Sequence, residues 1–271
     1  MIRTRCLLSA PLFAALSGLA TAGPAHADDS DDRFTLRLGA MDTDGSGRLH
    51  ASGSAFGRDV TVSEDFDFGK KEVSPRVSGL FRFGERQRLI FDYFRYRKSD
   101  TAVLTNDLGF DGDVIPAGSH AAFESRFQTA SLLYDYAVVD APRFSMGLQI
   151  GAEWAKADGK LYAEAGALNH TERAREDGKA PVVGLRFTGK PGEHWLLNLQ
   201  GQYLDADWGD FDYSGKIKRA NAIVEYRFGK GFGVFAGYDW YKINYHEDGR
   251  DASDGVDLTF KGPIAGLSFA F

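Results

Sequence analysis

The chain has 271 residues and a formal charge of −6, an acidic balance that excludes a nucleic-acid partner or a polybasic attachment to a membrane surface. Its single cysteine excludes a disulfide framework. No apolar run after residue 27 is long enough to cross a bilayer as a helix, and no linker or shift in composition divides the chain, so one domain is expected.

The first 27 residues, "MIRTRCLLSAPLFAALSGLATAGPAHA", read as a cleaved signal peptide. Arg3 and Arg5 form the basic region, residues 7–20 are apolar or small, and Ala25 and Ala27 are the small residues before the cut. Cleavage after Ala27 also removes Cys6. It leaves residues 28–271 as an exported, cysteine-free domain, with 30 basic residues against 38 acidic ones and a net charge near −8.

"FTLRLGAM" (34–41) alternates Phe34, Leu36, Leu38 and Ala40 with Thr35, Arg37, Gly39 and Met41, which predicts a first β-strand. The next stretch, "DTDGSGRL" (42–49), places Asp42, Asp44 and Ser46 at positions 1, 3 and 5 of a would-be EF-hand loop. Gly47 would be the turn glycine, but position 12, where a bidentate Glu is needed, is Gly53. The preceding element is a strand and not a helix, so a turn is expected here. Asp42, Asp44 and Ser46 remain the one metal-ligand candidate set, and no cofactor is implied.

Further period-two segments follow at 73–83, 89–97, 126–138, 144–154, 181–188, 195–203, 219–228, 232–240 and 262–271, ten strands in all. In the clearest, Phe144, Met146, Leu148, Ile150, Ala152 and Trp154 alternate with Ser145, Gly147, Gln149, Gly151 and Glu153. Short turns ("GER" 84–86, "VDAP" 139–142, "KPGE" 190–193, "GKG" 229–231) alternate with long connections near 43–72, 98–123, 157–179, 207–213 and 246–255. An even strand number with short turns at one end and long loops at the other predicts a transmembrane antiparallel up-and-down β-barrel, turns in the periplasm and loops outside.

Alternation alone does not say which face is inside, and a soluble lipocalin-like barrel would turn its apolar face inward. The aromatic pairs Phe144/Trp154, Trp195/Tyr203 and Phe232/Trp240 bracket the apolar faces like two interfacial girdles, which favours lipid outside. A closed barrel also satisfies its own backbone hydrogen bonds in lipid.

The chain ends on "GPIAGLSFAF" (262–271), with Leu267, Phe269 and the terminal Phe271 on one face. Together with "SPRVSGLFRFGERQRLIFDYF" (74–94), this resembles the closing strand and a hairpin of small Gram-negative outer-membrane β-barrel proteins, OmpW-like proteins among them. The resemblance implies outer-membrane residence, contact with lipid and lipopolysaccharide, and assembly-machinery recognition of Phe271, Phe269 and Leu267. It carries no activity over.

With apolar residues in lipid, the lumen receives Arg37, Arg76, Arg82, Arg186, Arg219 and Arg227 against Asp92, Asp135, Glu153, Glu225 and Asp239. Ten strands enclose a lumen close to the size that side chains fill, and buried charges persist when paired. A salt-bridged plug is therefore expected, with a narrow channel for small solutes as the alternative. Arg95 and Arg97 continue an outward face past its last aromatic, where lipopolysaccharide phosphates lie, and are candidates to bind them. The acidic stretches 63–69, 205–212 and 246–257 could share divalent cations with that surface. His50, His120, His170 and His246 fall in predicted loops, but no omptin-like or lipase-like spacing accompanies them. The leading expectation is a non-enzymatic barrel with a structural or loop-mediated binding role, and an external ligand or solute as partner. A rim-sited hydrolase, omptin-like or lipid A-modifying, is the remaining reading.

Overall fold

A computed structural model describes residues 32–55, 58–67, 69, 71–103, 108–110, 113–115, 118–165, 168–205, 214–229, 231–248 and 252–271. The expected signal peptide lies outside them. The described elements are all β: β1 (Phe34–Ala55), β2 (Arg58–Asp67), β3 (Glu72–Arg82), β4 (Gln87–Val103), β5 (Leu108–Phe110), β6 (Asp113–Ile115), β7 (His120–Ala141), β8 (Phe144–Ala165), β9 (Leu168–Gly189), β10 (Trp195–Asp205), β11 (Ser214–Arg227), β12 (Phe232–Asp248) and β13 (Ala252–Ala270).

Every neighbouring pair in the wall is antiparallel, and β13 returns to pair with β1, from Thr35↔Ala270 to Gly53↔Ala252. β2 and β3 succeed one another along the same edge of β1 and count as one stave, separated near Gly69, whose φ of 79° a residue with a Cβ rarely adopts. The closed barrel therefore has ten staves, and β5 and β6 form a separate small hairpin. All ten staves coincide with the ten segments of alternating sequence. The seam is closed at the periplasmic end by the last residue: the Arg33 and Phe34 amides donate to the Phe271 carbonyl at 2.8 and 3.1 Å, and the Phe271 amide donates to Phe34 O at 2.8 Å.

Exposure settles which face is inside. Leu132, Ile150 and Leu199 are 56%, 60% and 53% exposed, whereas Asp135 and Glu225 are 0% exposed. A soluble domain inverts that order; a lipid-embedded barrel requires it. At the periplasmic rim the outward aromatics touch in a near-continuous belt: Phe34–Phe271, Phe81–Phe83–Tyr134, Phe144–Phe187, and Trp195–Tyr226–Phe228–Phe232–Phe269. Tyr203 lies eight residues along β10 from Trp195, about 26 Å along the strand at its usual rise.

The outer ends differ from expectation. Most of the predicted long loops are continuations of the strands: β1, β7, β8 and β9 each run 22 residues. "DTDGSGRL" is accordingly not a turn. It is the middle of β1, held on one side by β13 and on the other by β2 and β3. Two long partners override the turn propensity of its Gly and Asp residues.

Two ladders stop early. β3 and β4 pair only from Arg76↔Phe94 downward, and β9 and β10 only from Val182↔Leu204 downward. Each ends beside a proline, Pro75 or Pro181, which has no N–H to add to a ladder. Above these points the described residues form two separate sheets, β4-β7-β8-β9 and β2-β1-β13-β12-β11.

Candidate functional site: the two halves of the lumen

The inward face of the lower barrel is charged because the alternation that sends Leu and Phe to lipid sends the intervening residues inward. At mid-height Arg76 of β3 donates to Asp92 of β4 through Nε and Nη2, at 3.1 and 2.9 Å. Arg219 of β11 donates to the other Asp92 oxygen at 2.7 Å and to Asp239 of β12 at 3.3 Å, and Arg76 also meets Asp239. In the ten-stave ring β4 and β11 are five steps apart in either direction. The Asp92–Arg219 bond therefore spans the full diameter.

Two further networks lie nearer the periplasm. Arg186 of β9 grips Asp135 of β7 with two parallel bonds of 3.0 and 2.9 Å, and Gln149 donates to the same carboxylate at 3.1 Å. Arg186 also donates to Thr188 at 2.6 Å. Arg88 reaches Asp135 at 3.8 Å and Asp140 at 3.3 Å, while Arg82 stands 3.6 Å from Asp140 and donates to the carbonyls of Gly84 and Glu85. On the opposite wall Glu225 accepts from Arg37 at 2.7 Å and from Arg227 at 2.8 Å, and Arg227 holds Asp32. Forked arginine–carboxylate pairing of this kind is strong and geometrically specific.

The upper lumen is different. The Tyr241 hydroxyl donates to Glu153, the highest charge of the plug. Above it Phe94, Tyr96, Phe127, Tyr241 and Phe260 form an inward aromatic cluster, with Phe127 stacked on Phe260 at 5.0 Å and 5.8 Å from Tyr241. Beyond Phe127 the adjoining strands β8 and β9 face inward with Ala155, Ala157, Gly178 and Ala180, and leave a cavity of about 310 Å³.

All eleven charged residues assigned to the lumen by alternation lie inside the barrel and within these networks, Glu153 through Tyr241. Four titratable members were not assigned. Arg88 and Asp32 lie just outside the strands drawn from sequence, and Arg88 shares the parity of Asp92, which could have found it. Tyr241 is one residue past the segment drawn to 240. Asp140 points inward only because the β7–β8 register shifts between Ala137 and Val139, a bulge that strict alternation cannot show.

The remaining candidates are spread over the outer surface. Asp42, Asp44 and Ser46 share the outward face of one extended strand, with next-nearest residues about 7 Å apart along it. Asp42 lies 3.9 Å from Lys71. They do not converge as loop ligands do, and among the described residues no group of three acids, histidines or cysteines could hold a metal. Arg95 and Arg97 face outward on β4; Arg97 is paired with Glu124 at 2.9 Å, and Glu124 also takes Arg126 at 3.1 Å. Leu267 is exposed, and Phe269 packs 5.7 Å from Phe232. The side chains of His50, His120, His170 and His246 lie outside the described residues, as do nearly all those of the acidic stretches 63–69, 205–212 and 246–257.

No protein-family model and no curated protein matches the chain. Among solved structures, it is similar to the outer membrane protease OmpT from Escherichia coli, with a TM-score of 0.54 and 10% identity over 93% of this chain and 99% of that one. The translocator domain of autotransporter NalP from Neisseria meningitidis gives 0.46, at 12% identity over 88% of each chain. OprG from Pseudomonas aeruginosa gives 0.38, at 11% identity over 91% and 99%. The closed ten-stave wall, its lipid-facing apolar surface and this likeness define an outer-membrane β-barrel protein. It is a small barrel of the Gram-negative type and resides in the bacterial outer membrane. At 10% identity the likeness to a protease extends to the fold alone.

Proposed function

We propose that the protein is a non-conducting, non-enzymatic barrel that seals its lower lumen with charge and presents its outer half for binding. The observation that carries this reading is the Asp92–Arg219 contact of 2.7 Å across the diameter, joined to Arg76 and Asp239. Small ions cannot pass where oppositely placed side chains touch and their charges are mutually satisfied. Breaking such a buried pair costs more than surface pairs do, so the seal is held shut by more than side-chain bulk. The measurement is single-channel conductance of the refolded protein in a planar bilayer. A folded, silent barrel is the expected result, and removing both Asp92 and Arg219 (Asp92→Ala with Arg219→Ala) should raise conductance. Discrete openings of the unmodified protein would establish the narrow channel and sink the sealed reading.

The outer surface suits lipopolysaccharide as neighbour. Arg95 and Arg97 stand above the aromatic Tyr93 on the lipid-facing side of β4, where phosphates can compete with Glu124 for Arg97. Replacing both with alanine should weaken lipopolysaccharide co-purification severalfold; unchanged retention would remove the assignment. Phe271, whose backbone closes the seam with Phe34, is proposed as part of the signal read by the barrel-assembly machinery. Its deletion should lower the amount of barrel reaching the outer membrane.

A further inference from the structure

Native interiors leave few voids larger than a water molecule, so an apolar cavity of about 310 Å³ above a tightly paired plug requires an account. Strand alternation sorts its lining. Lys156, Lys179 and Lys216 have the outward parity of their strands, and Lys156 is paired there with Asp158 at 3.3 Å, so these lysines direct their charge to the outer surface. The lining residues of inward parity, among them Phe127, Ala155, Ala157, Ile217, Ile243 and Leu258, are apolar or glycine with one exception. The exception is Glu153.

Glu153 is 3% exposed and borders the cavity at its inner end. A carboxylate accepts about four hydrogen bonds; among the described residues this one takes a single bond, from the neutral Tyr241 hydroxyl, and no described cation lies within ion-pair distance of it. Arg76 and Arg219 below are taken by Asp92 and Asp239, so this end of the plug has three carboxylates for two guanidinium groups. Lys98, an inward cation of the upper lumen, is held by Glu72 at 3.0 Å. A buried carboxylate calls for a cation, and the space for one opens directly above Glu153. We propose that the upper lumen binds a small organic cation, its ammonium donating to the Glu153 carboxylate and its apolar body lying against the alanine-lined wall. An apolar cavity of about 150 Å³ takes one benzene, so a body of about six carbons fits with room for the head group. The assignment rests on the reading of the outer half as the binding half, but not on a silent lumen: an open barrel would register as conductance and leave the choice of head group unchanged.

The test is calorimetric titration of hexylammonium, hexanol and hexanoate into the full barrel held in phosphatidylcholine nanodiscs, against empty nanodiscs. Hexylammonium is expected to bind saturably and about tenfold more tightly than hexanol, the gain of a hydrogen bond to a charged group, with hexanoate weakest. Glu153→Gln keeps an acceptor for Tyr241 and should bring hexylammonium down to the affinity of hexanol. Ala155→Leu fills the cavity and should abolish the binding of both. Heat-modifiable gel mobility reports folding, and if Glu153→Gln does not fold, the head-group series on the unmodified barrel and Ala155→Leu decide. A preference for ammonium that survives Glu153→Gln, or hexanoate bound as tightly as hexylammonium, would overturn the role of the carboxylate. Binding that survives Ala155→Leu would overturn the site.

Discussion

The two halves of the lumen are built by the same strands and closed in opposite ways. Below Glu153, arginines and carboxylates meet within hydrogen-bond distance, Arg219 and Asp92 across the full diameter and the other pairs between nearer staves, and long side chains make up for the width of the barrel. Above it, the inward residues include the aromatics Phe94, Tyr96, Phe127, Tyr241 and Phe260 on β4, β7, β12 and β13, with Lys98 beyond Tyr96 paired to Glu72 at 3.0 Å, and are small on β8 and β9, so the walls meet at Phe127 and Tyr241 but part beyond them. Charge seals a ten-strand lumen because the Asp92–Arg219 pair reaches across it and Arg76 and Asp239 fix its geometry. Apolar residues seal it only where their volumes happen to add up. The upper half is therefore the part free to hold something else.

The difference predicts how each half answers to substitution. The largest effect is expected at the diameter. Arg219→Ala leaves Asp92 and Asp239 short of a cation in a dry interior and should cost about 3–5 kcal/mol, read from urea unfolding in liposomes. Replacing the pair together, Asp92→Leu with Arg219→Met, should recover most of that loss, because Arg76 and Asp239 remain to satisfy each other. A single mutant as stable as the parent would mean that the plug is wet and its pairs nearly free. A smaller contrast separates the halves directly. Gly147 lies against the Asp135 carboxylate, so even the methyl of Gly147→Ala must displace it and should cost about 1–3 kcal/mol. Ala155→Val enlarges a residue by more, but into the cavity, and should be close to neutral. Equal costs would show that the upper half has no spare room. At the boundary, Tyr241→Phe withdraws the hydroxyl that serves buried Glu153 and should cost about 1–3 kcal/mol by the same assay.

How much of this was legible in the sequence follows from which signals are local. The ten staves and the inverted faces could be read because period-two alternation survives wherever lipid meets one side of a strand, as in 144–154. The charged lining was readable by parity alone. Asp140 was not, since it depends on a bulge, and neither was the continuation of β1 through "DTDGSGRL", which its partners on both edges impose. The cavity was the least legible. Phe94, Phe127 and Phe260 break the apolar-out pattern and look in sequence like noise; the strand register sets Phe127 beside Ala157, and only the closed ring brings Phe260 across from them. The partings beside Pro75 and Pro181 had a sequence signal, a proline within a strand pattern, that marks where pairing fails.

The smallest expected effect lies at the periplasmic edge of the charged half, at Lys190. Lys190 begins the turn after β9, with its amide donating to Arg143 O at 2.9 Å. Partial burial, and then the nearby Arg227, lower its ammonium from the usual 10.5 to about 8. The folded barrel consequently binds fewer protons than the unfolded chain between pH 8 and 10.5, and stability should rise with pH across that window. Below pH 8 both states are protonated and the folded state bears the whole cost of the charge. Lys190→Gln should therefore be slightly more stable than the parent at pH 7, with the difference fading as pH approaches 10.5. Unfolding midpoints in a pH series would show it. An advantage that did not shrink with pH would assign the gain to packing of the turn rather than to the ammonium.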